Sequence, residues 1–320
     1  DKTGTLTRNE MTARAIRLEA KEVRLSGVGF SPEGSLHEVD EAAADAPEDE
    51  ARDEKGETLS LSDHPDLEHL LLAGVLCNEA ELKQQDDHWQ IEGDPTEGAL
   101  VVAAAKAGLD ISDLREAHPC LDTLPFESEY RYMATLNEVD GETRILVKGA
   151  PDRLLEMCDR VRRDGEVVDL DTGEWERHIK TLSSRGLRVL AVAEKEAGDS
   201  EALDRDDVEQ GLVLLGMTGL LDPPREAAVD AVKQCLEAGI RPVMITGDHP
   251  ETARAIAEQL GFSQTDKAVA GRDIEDMSDE ELESCIREVD VFARAAPEHK
   301  LRLVKAMQAQ GGICAMTGDG

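Results

Sequence analysis

Arg241-Pro242-Val243-Met244-Ile245-Thr246-Gly247-Asp248-His249-Pro250 decides how the chain is read. Pro242 to Ile245 is a short apolar run of strand length. Thr246-Gly247-Asp248 follows it with no spacer, and Pro250 suits the first turn of a helix running to about Leu260, before Gly261. Strand, polar loop and helix in this order form half of a βαβ unit. The pattern repeats on both sides. Upstream, Gly211-Leu212-Val213-Leu214-Leu215-Gly216 reads as a strand. After it, Ala228, Val232, Cys235 and Leu236 recur at helical spacing within a helix over 225–238 that Gly239 can end. Downstream come a strand around Phe292, a helix over 297–309, and Ile313-Cys314-Ala315-Met316 as a further strand. The alternation predicts a parallel sheet flanked by helices. Such sheets carry ligand loops at the carboxyl ends of their strands. Thr246-Gly247-Asp248 and Thr317-Gly318-Asp319-Gly320 are placed there.

A third loop of this kind opens the chain: Asp1-Lys2-Thr3-Gly4-Thr5-Leu6-Thr7. An ionised aspartate can attack the terminal phosphorus of ATP and keep it as an acyl phosphate. Lys2 can offset the charge gathering there. Gly4 allows a tight turn, and Thr3 and Thr5 offer hydroxyls and N–H groups to phosphate oxygens.

The middle of the chain differs. Residues 33–63 are acidic and rich in Ala, Gly and Ser, and part of them is expected to be a mobile loop. Arg144-Ile145-Leu146-Val147 and Arg188-Val189-Leu190-Ala191-Val192 suggest an antiparallel sheet with helices, inserted between the opening loop and the parallel domain. No internal repeat is evident.

With 320 residues and 40% hydrophobic content there is room for two cores. The six cysteines are scattered without a C-x-x-C pair, which suits a reducing compartment and speaks against a zinc site or a disulfide framework. A net charge of −35 with 2% aromatics excludes a nucleic-acid surface. Acidic residues outnumber basic ones two to one and Arg exceeds Lys, which is read as adaptation of the host to salt. No apolar run is long enough to span a bilayer, and no signal peptide is expected.

The opening heptad resembles the phosphorylation motif of P-type ATPases, ion pumps of the haloacid-dehalogenase superfamily. The resemblance implies that the chain is an internal piece of a longer membrane protein. It makes Asp1 the nucleophile and places Mg²⁺ on Asp1, the Thr3 carbonyl and Asp319. Thr246, in the Thr246-Gly247-Asp248 loop, would bond a phosphate oxygen. Lys300, in Val291-Phe292-Ala293-Arg294-Ala295-Ala296-Pro297-Glu298-His299-Lys300, would pair with the acyl phosphate. Phosphatases of the superfamily usually carry a second aspartate two residues after the nucleophile, where it acts as general acid and base. Thr3 stands there instead, so the acyl phosphate is expected to persist. The family motif continues beyond Thr317-Gly318-Asp319-Gly320 with residues this sequence does not contain.

Four stretches of the insert resemble the nucleotide-binding domain of the pumps. In Gly93-Asp94-Pro95-Thr96-Glu97-Gly98, Glu97 would meet the adenine amino group. In Pro125-Phe126-Glu127-Ser128-Glu129-Tyr130-Arg131, Phe126 would stack on the base and Arg131 would lie near the phosphates. In Lys148-Gly149-Ala150-Pro151, Lys148 lines the pocket and Gly149 permits close approach. Arg188 is a candidate for the phosphates or ribose. Asp222 and Arg294 would meet the nucleotide from the parallel-sheet side. Taken singly, Phe126 reads as well as a core aromatic and Arg188 as a surface cation. Ser62-Asp63-His64-Pro65 resembles the adenine motif of heavy-metal pumps, but it precedes Leu76-Cys77-Asn78-Glu79-Ala80, which resembles a helix end of calcium-type pumps. His64 is therefore read as a loop residue beside a helix start.

The resemblance implies a Rossmann-like, haloacid-dehalogenase-like parallel-sheet phosphorylation domain (1–15 and 217–320) with an inserted α+β nucleotide-binding domain on an antiparallel sheet (16–216). The expected function is ATP-driven cation transport through an aspartyl phosphate, with Ca²⁺ the leading ion. The expected fragment is monomeric, binds ATP and Mg²⁺, takes no nucleic acid, and meets its ion through membrane helices outside this sequence. The alternatives are a soluble phosphatase of the same superfamily and a nucleotide-binding module without chemistry.

Overall fold

Two sheets of opposite habit organise the chain in the computed structural model, which describes residues 2, 4–7, 10–27, 29–39, 59–85, 88–198 and 200–318. They fall in two compact units. The larger comprises Met11–Leu182 and Val189–Leu221; the smaller comprises Asp1–Glu10, Ser183–Arg188 and Asp222–Gly320.

The larger unit is built on a mainly antiparallel sheet. Its strands are β1 (Thr12–Arg17), β2 (Glu22–Leu25) and β3 (Leu36–Val39), then, after a separate hairpin of β4 (Glu81–Gln85) and β5 (His88–Glu92), β6 (Cys120–Glu127), β7 (Tyr132–Val139), β8 (Glu142–Gly149), β9 (Cys158–Arg163), β10 (Glu166–Asp169), β11 (Arg188–Glu196) and β12 (Leu212–Leu221). The order is β3-β2-β1-β12-β11-β8-β7-β6, with β9 pairing β10 and β12. Helices Pro65–Leu76 and Pro95–Lys106 supply Leu67, Leu70, Leu71, Val75, Ala99 and Ala103 to a core shared with Ile16, Val23, Met133, Leu146, Val192 and Leu215. The second of these helices is set by its cap: Asp94 accepts the N–H groups of Thr96 and Glu97, and Pro95 occupies the first turn.

The smaller unit carries a parallel sheet of β13 (Met244–Ile245), β14 (Ala268–Ala270) and β15 (Val291–Ala293), in the order β13-β15-β14. Alternation divides its side chains between two cores. Met244, Val291 and Ala293 pack with helices Glu226–Glu237 and Pro250–Leu260. Ile245 and Phe292 pack with helices Gly271–Asp276, Asp279–Glu288 and Pro297–Ala309. Helices cover both faces, as a parallel sheet requires.

Two expectations need correction. The run that begins at Gly211 does form a strand, but it continues to Leu221 and lies inside the antiparallel sheet: it pairs β1 antiparallel and β9 parallel. A buried apolar run carries no mark of its partner, so periodicity could not assign it. Residues 313–316 form no strand; Ile313 is fully exposed and Met316 largely so. Four apolar residues make a strand only where a ladder partner meets them. Of the acidic stretch, Leu36–Val39 is β3 and Leu61–Asp63 a 3₁₀ turn, whereas 40–58 lie outside the described residues. His64 stands immediately before helix Pro65–Leu76.

Candidate functional site

In the smaller unit the opening loop folds back on itself. The N–H groups of Leu6 and Thr7 both donate to the Lys2 carbonyl, at 2.9 and 3.1 Å, across a turn in which Gly4 takes φ 74°. A loop this short needs a residue without a Cβ at that conformation. Lys2 is thereby buried, with 2% of its surface exposed. Its ammonium lies 2.8 Å from Asp248 Oδ2 and 3.4 Å from Asp222 Oδ2. Thr7 Oγ1 donates to Asp222 Oδ2 at 2.5 Å, and Arg188 donates to Asp248 Oδ1 at 3.0 Å. Two buried carboxylates are thus balanced by the buried Lys2 and by Arg188, whose side chain reaches the surface. Burial by itself would raise the Asp248 carboxyl, but the Lys2 ammonium and the Arg188 guanidinium outweigh it and hold the group below the usual carboxylate range.

The carboxyl ends of β13 and β15 meet beside this cluster. The amide of Asp248 donates to Thr246 Oγ1 at 3.1 Å. The amides of Arg294 and Ala295 donate to the carbonyls of Asp248 and Thr246, each at 3.0 Å. Thr246 is buried, Gly247 exposed and the Arg294 side chain exposed. Lys300 is half-buried in the first turns of Pro297–Ala309. Asp1, Thr3 and Asp319, the expected nucleophile and metal donors, lie outside the described residues. Among the described residues no group of three metal-ligating side chains occurs.

The structure thus joins Lys2, Asp222, Thr246 and Asp248, and it adds Arg188, which belongs to the segment Ser183–Arg188 of the smaller unit and not to the insert. Arg225 was missed as a site residue. Its side chain donates to the carbonyls of Thr7 and Gly4, both at 2.8 Å, and so fastens the opening loop. Its place after Asp222-Pro223-Pro224 was the only available signal.

In the larger unit a second cluster forms where β8 ends. Lys148 is buried; its ammonium lies 2.6 Å from Glu97 Oε1 and donates to the Cys77 carbonyl. Glu97 Oε2 accepts the Glu79 amide at 3.2 Å, and Asn78 Nδ2 donates to the Glu97 carbonyl at 2.9 Å. The helix end 76–80 and the start of Pro95–Lys106 are therefore tied through Glu97. Asn78 was another missed residue, although its stretch was singled out. Burial raises the Cys77 thiol despite the nearby Lys148 ammonium, so Cys77 is an inert core group.

Gly149 faces Tyr132 across the ladder, and a Cβ there would stand 2.5 Å from the Arg131 carbonyl. That carbonyl accepts the Ala150 amide at 2.9 Å. Arg131 itself takes φ 61°, and its guanidinium pairs with Asp152 at 2.6 Å. Phe126 sits in a bulge between Leu124 and Glu127 and is 60% exposed. Pairing places Pro125–Phe126, Met133 and Lys148 in one row across β6, β7 and β8. A bulge re-aims a side chain, and here it keeps an aromatic ring out of the core. Of the residues expected to meet ATP, Glu97, Phe126, Arg131, Lys148 and Gly149 share this unit, whereas Arg188, Asp222 and Arg294 belong to the other.

Among the described residues no helix is long and apolar enough to cross a membrane. The family model described as P-type ATPase, cytoplasmic domain N, matches residues 66–227. The chain is 44% identical over 324 residues to the cation-transporting ATPase pma1 of Synechocystis sp., covering all of this chain and 34% of the relative. It is 38% identical to a calcium-transporting ATPase of Bacillus subtilis, covering all of this chain and 35% of the relative. It is 40% identical to the probable cation-transporting ATPase F of Mycobacterium tuberculosis, again along its whole length and over 34% of the relative. The chain spans about a third of the length of the curated relatives it matches.

Proposed function

The chain belongs to the P-type ATPase family, and from that premise we propose that it is the ATP-binding and phosphoryl-accepting part of a cation pump. The larger unit holds ATP. Phe126 stacks on the adenine, Glu97 meets its amino group, Lys148 and Gly149 line the pocket, and Arg131 exchanges Asp152 for a phosphate. The smaller unit is the haloacid-dehalogenase-like phosphorylation domain. In it an Asp1 carboxylate oxygen bonds the γ-phosphorus, the bond to the β–γ bridging oxygen breaks, and ADP leaves with that electron pair. Thr246 and Lys300 hold the transferring oxygens, with Asp222, Arg188 and Arg294 at the nucleotide's phosphate end. Asp1, the Thr3 carbonyl and Asp319 are hard oxygen donors of the kind Mg²⁺ takes, and the ion would neutralise charge on the phosphoryl group. In the full protein the acyl phosphate drives ion movement through membrane helices, with this part facing the cytoplasm. The relatives' names make Ca²⁺ the first ion to try.

The observation that carries the nucleotide reading is the exposed Phe126 in its bulge, in one row with the buried Lys148 that pairs with Glu97. Phe126→Ala should weaken ATP binding by about 1–3 kcal/mol, roughly 5- to 150-fold, in a titration with a non-hydrolysable analogue. Since the ring has no core role, the thermal midpoint should not move. Unchanged affinity would remove the stacking assignment.

A further inference from the structure

Helix Pro297–Ala309 starts at Ala296, which has no side chain able to cap it. His299 answers for that lack. Its ring is buried, and Nδ1 accepts the Ala296 amide at 3.0 Å while Nε2 lies 2.9 Å from Glu275 Oε1. A ring nitrogen that accepts carries no proton, so the proton sits on Nε2 and is donated to Glu275. Both ring nitrogens are therefore engaged, and the ring plane is fixed.

The ring rests against Gly271. A Cβ there would stand 2.7 Å from His299 Nδ1 and 2.3 Å from the Arg294 carbonyl. Glycine is thus needed for the imidazole and the Arg294 carbonyl to pack side by side. Arg294 adopts φ 46°, a left-handed conformation that strains a non-glycine residue. Such strain persists only where surrounding contacts impose it. The turn aims three successive amides: Arg294 at the Asp248 carbonyl, Ala295 at the Thr246 carbonyl and Ala296 at His299. The first two fix the loop that places Thr246 and Asp248; the third anchors the turn. Lys300 follows His299 directly in the helix.

We propose that His299 is a positioning residue for phosphoryl transfer. By accepting the Ala296 amide and packing on Gly271 it holds the Arg294–Ala296 turn in its strained form, and with it the Thr246–Asp248 loop and the helix turn bearing Lys300. His299 touches none of the reacting groups. The inference rests on the reading that Asp1 is phosphorylated.

Asparagine and leucine at position 299 separate this role from simple packing. Asparagine keeps an oxygen close to the place of Nδ1 and can accept the Ala296 amide. Leucine keeps apolar bulk against Gly271 but has no acceptor, so the Ala296 amide loses its partner. The measurement is the rate of phosphoenzyme formation from γ-labelled ATP at saturating nucleotide, in membranes holding the full-length protein, with the ATP dissociation constant determined alongside. His299→Leu should be slower by on the order of 10- to 100-fold, the scale of a misplacement of about 1 Å, with ATP affinity unchanged. His299→Asn should recover most of the wild-type rate. Equal rates for the two variants would overturn the inference, as would a slow rate matched by an equal loss of ATP affinity. Wild-type membranes that bind ATP without becoming labelled would remove the premise and the inference together. Label in the wild type with equal variant rates would remove the inference alone.

Discussion

Lys2→Met is expected to lower the stability of the smaller unit by about 3–5 kcal/mol, the cost of removing one partner from a buried ion cluster. Lys2 is almost fully enclosed, and its ammonium stands between Asp222 and Asp248 at 3.4 and 2.8 Å. Without it, two buried carboxylates are left to Thr7 and Arg188. The effect should depend on pH in a definite direction. In the wild type the Asp248 carboxyl is held below its ordinary value, so its contribution is present above the unfolded value and is lost as pH falls. In Lys2→Met the same carboxyl protonates more readily. The gap between variant and wild type should therefore narrow as pH falls through the carboxylate range. Urea unfolding from pH 7 to pH 3 measures it. A gap that stayed constant or widened toward acid would show that Lys2 acts by packing and not by charge.

Glu194→Gln should produce an effect of similar size in the larger unit. Glu194 Oε2 lies 2.7 Å from His69 Nε2 and 3.1 Å from Arg144, and Oε1 lies 3.2 Å from Arg162. Burial alone would raise this carboxyl, but His69, Arg144 and Arg162 together bring it from 4.5 to about 2. A depression of that extent corresponds to roughly 3 kcal/mol, since each pKa unit is worth about 1.4 kcal/mol. The contribution is complete above the unfolded value and disappears as pH falls from there toward about 2. Glu194→Gln should therefore be about 3 kcal/mol less stable at pH 7 and should show a flatter pH profile in that acid window. A variant profile parallel to the wild type's would contradict the role given to His69, Arg144 and Arg162.

The sequence was most legible where a motif and a secondary-structure signal coincided. Pro250 and Gly261 bound a helix at Pro250–Leu260, and Pro297 opens one that ends at Ala309, because proline at the start and glycine past the end act locally. The alternating stretches at 144 and 188 lie in β8 and β11. Partnership was less legible. Leu212–Leu221 is apolar but for Thr218 and almost wholly buried, so nothing in it says whether a parallel or an antiparallel neighbour waits. Arg188 is separated from Asp248 by sixty residues, and only the fold sets its guanidinium against that carboxylate. Phe126 could not be told from a core residue, because exposure there depends on a bulge that no single residue type announces. His299 and Arg225 act through backbone groups, which leave no imprint on the identity of the residues they hold.

The most direct test follows phosphate from ATP to protein in membrane vesicles containing the full-length protein. Vesicles would be given ATP labelled at the γ- or the α-phosphate across a panel of Ca²⁺, Na⁺, K⁺ and pH, with Asp1→Asn alongside. The account predicts acid-stable label from γ-labelled ATP only, dependent on one cation, and absent from Asp1→Asn while that variant still binds ATP. Bound ATP without label under every condition, or label that survives in Asp1→Asn, would contradict it.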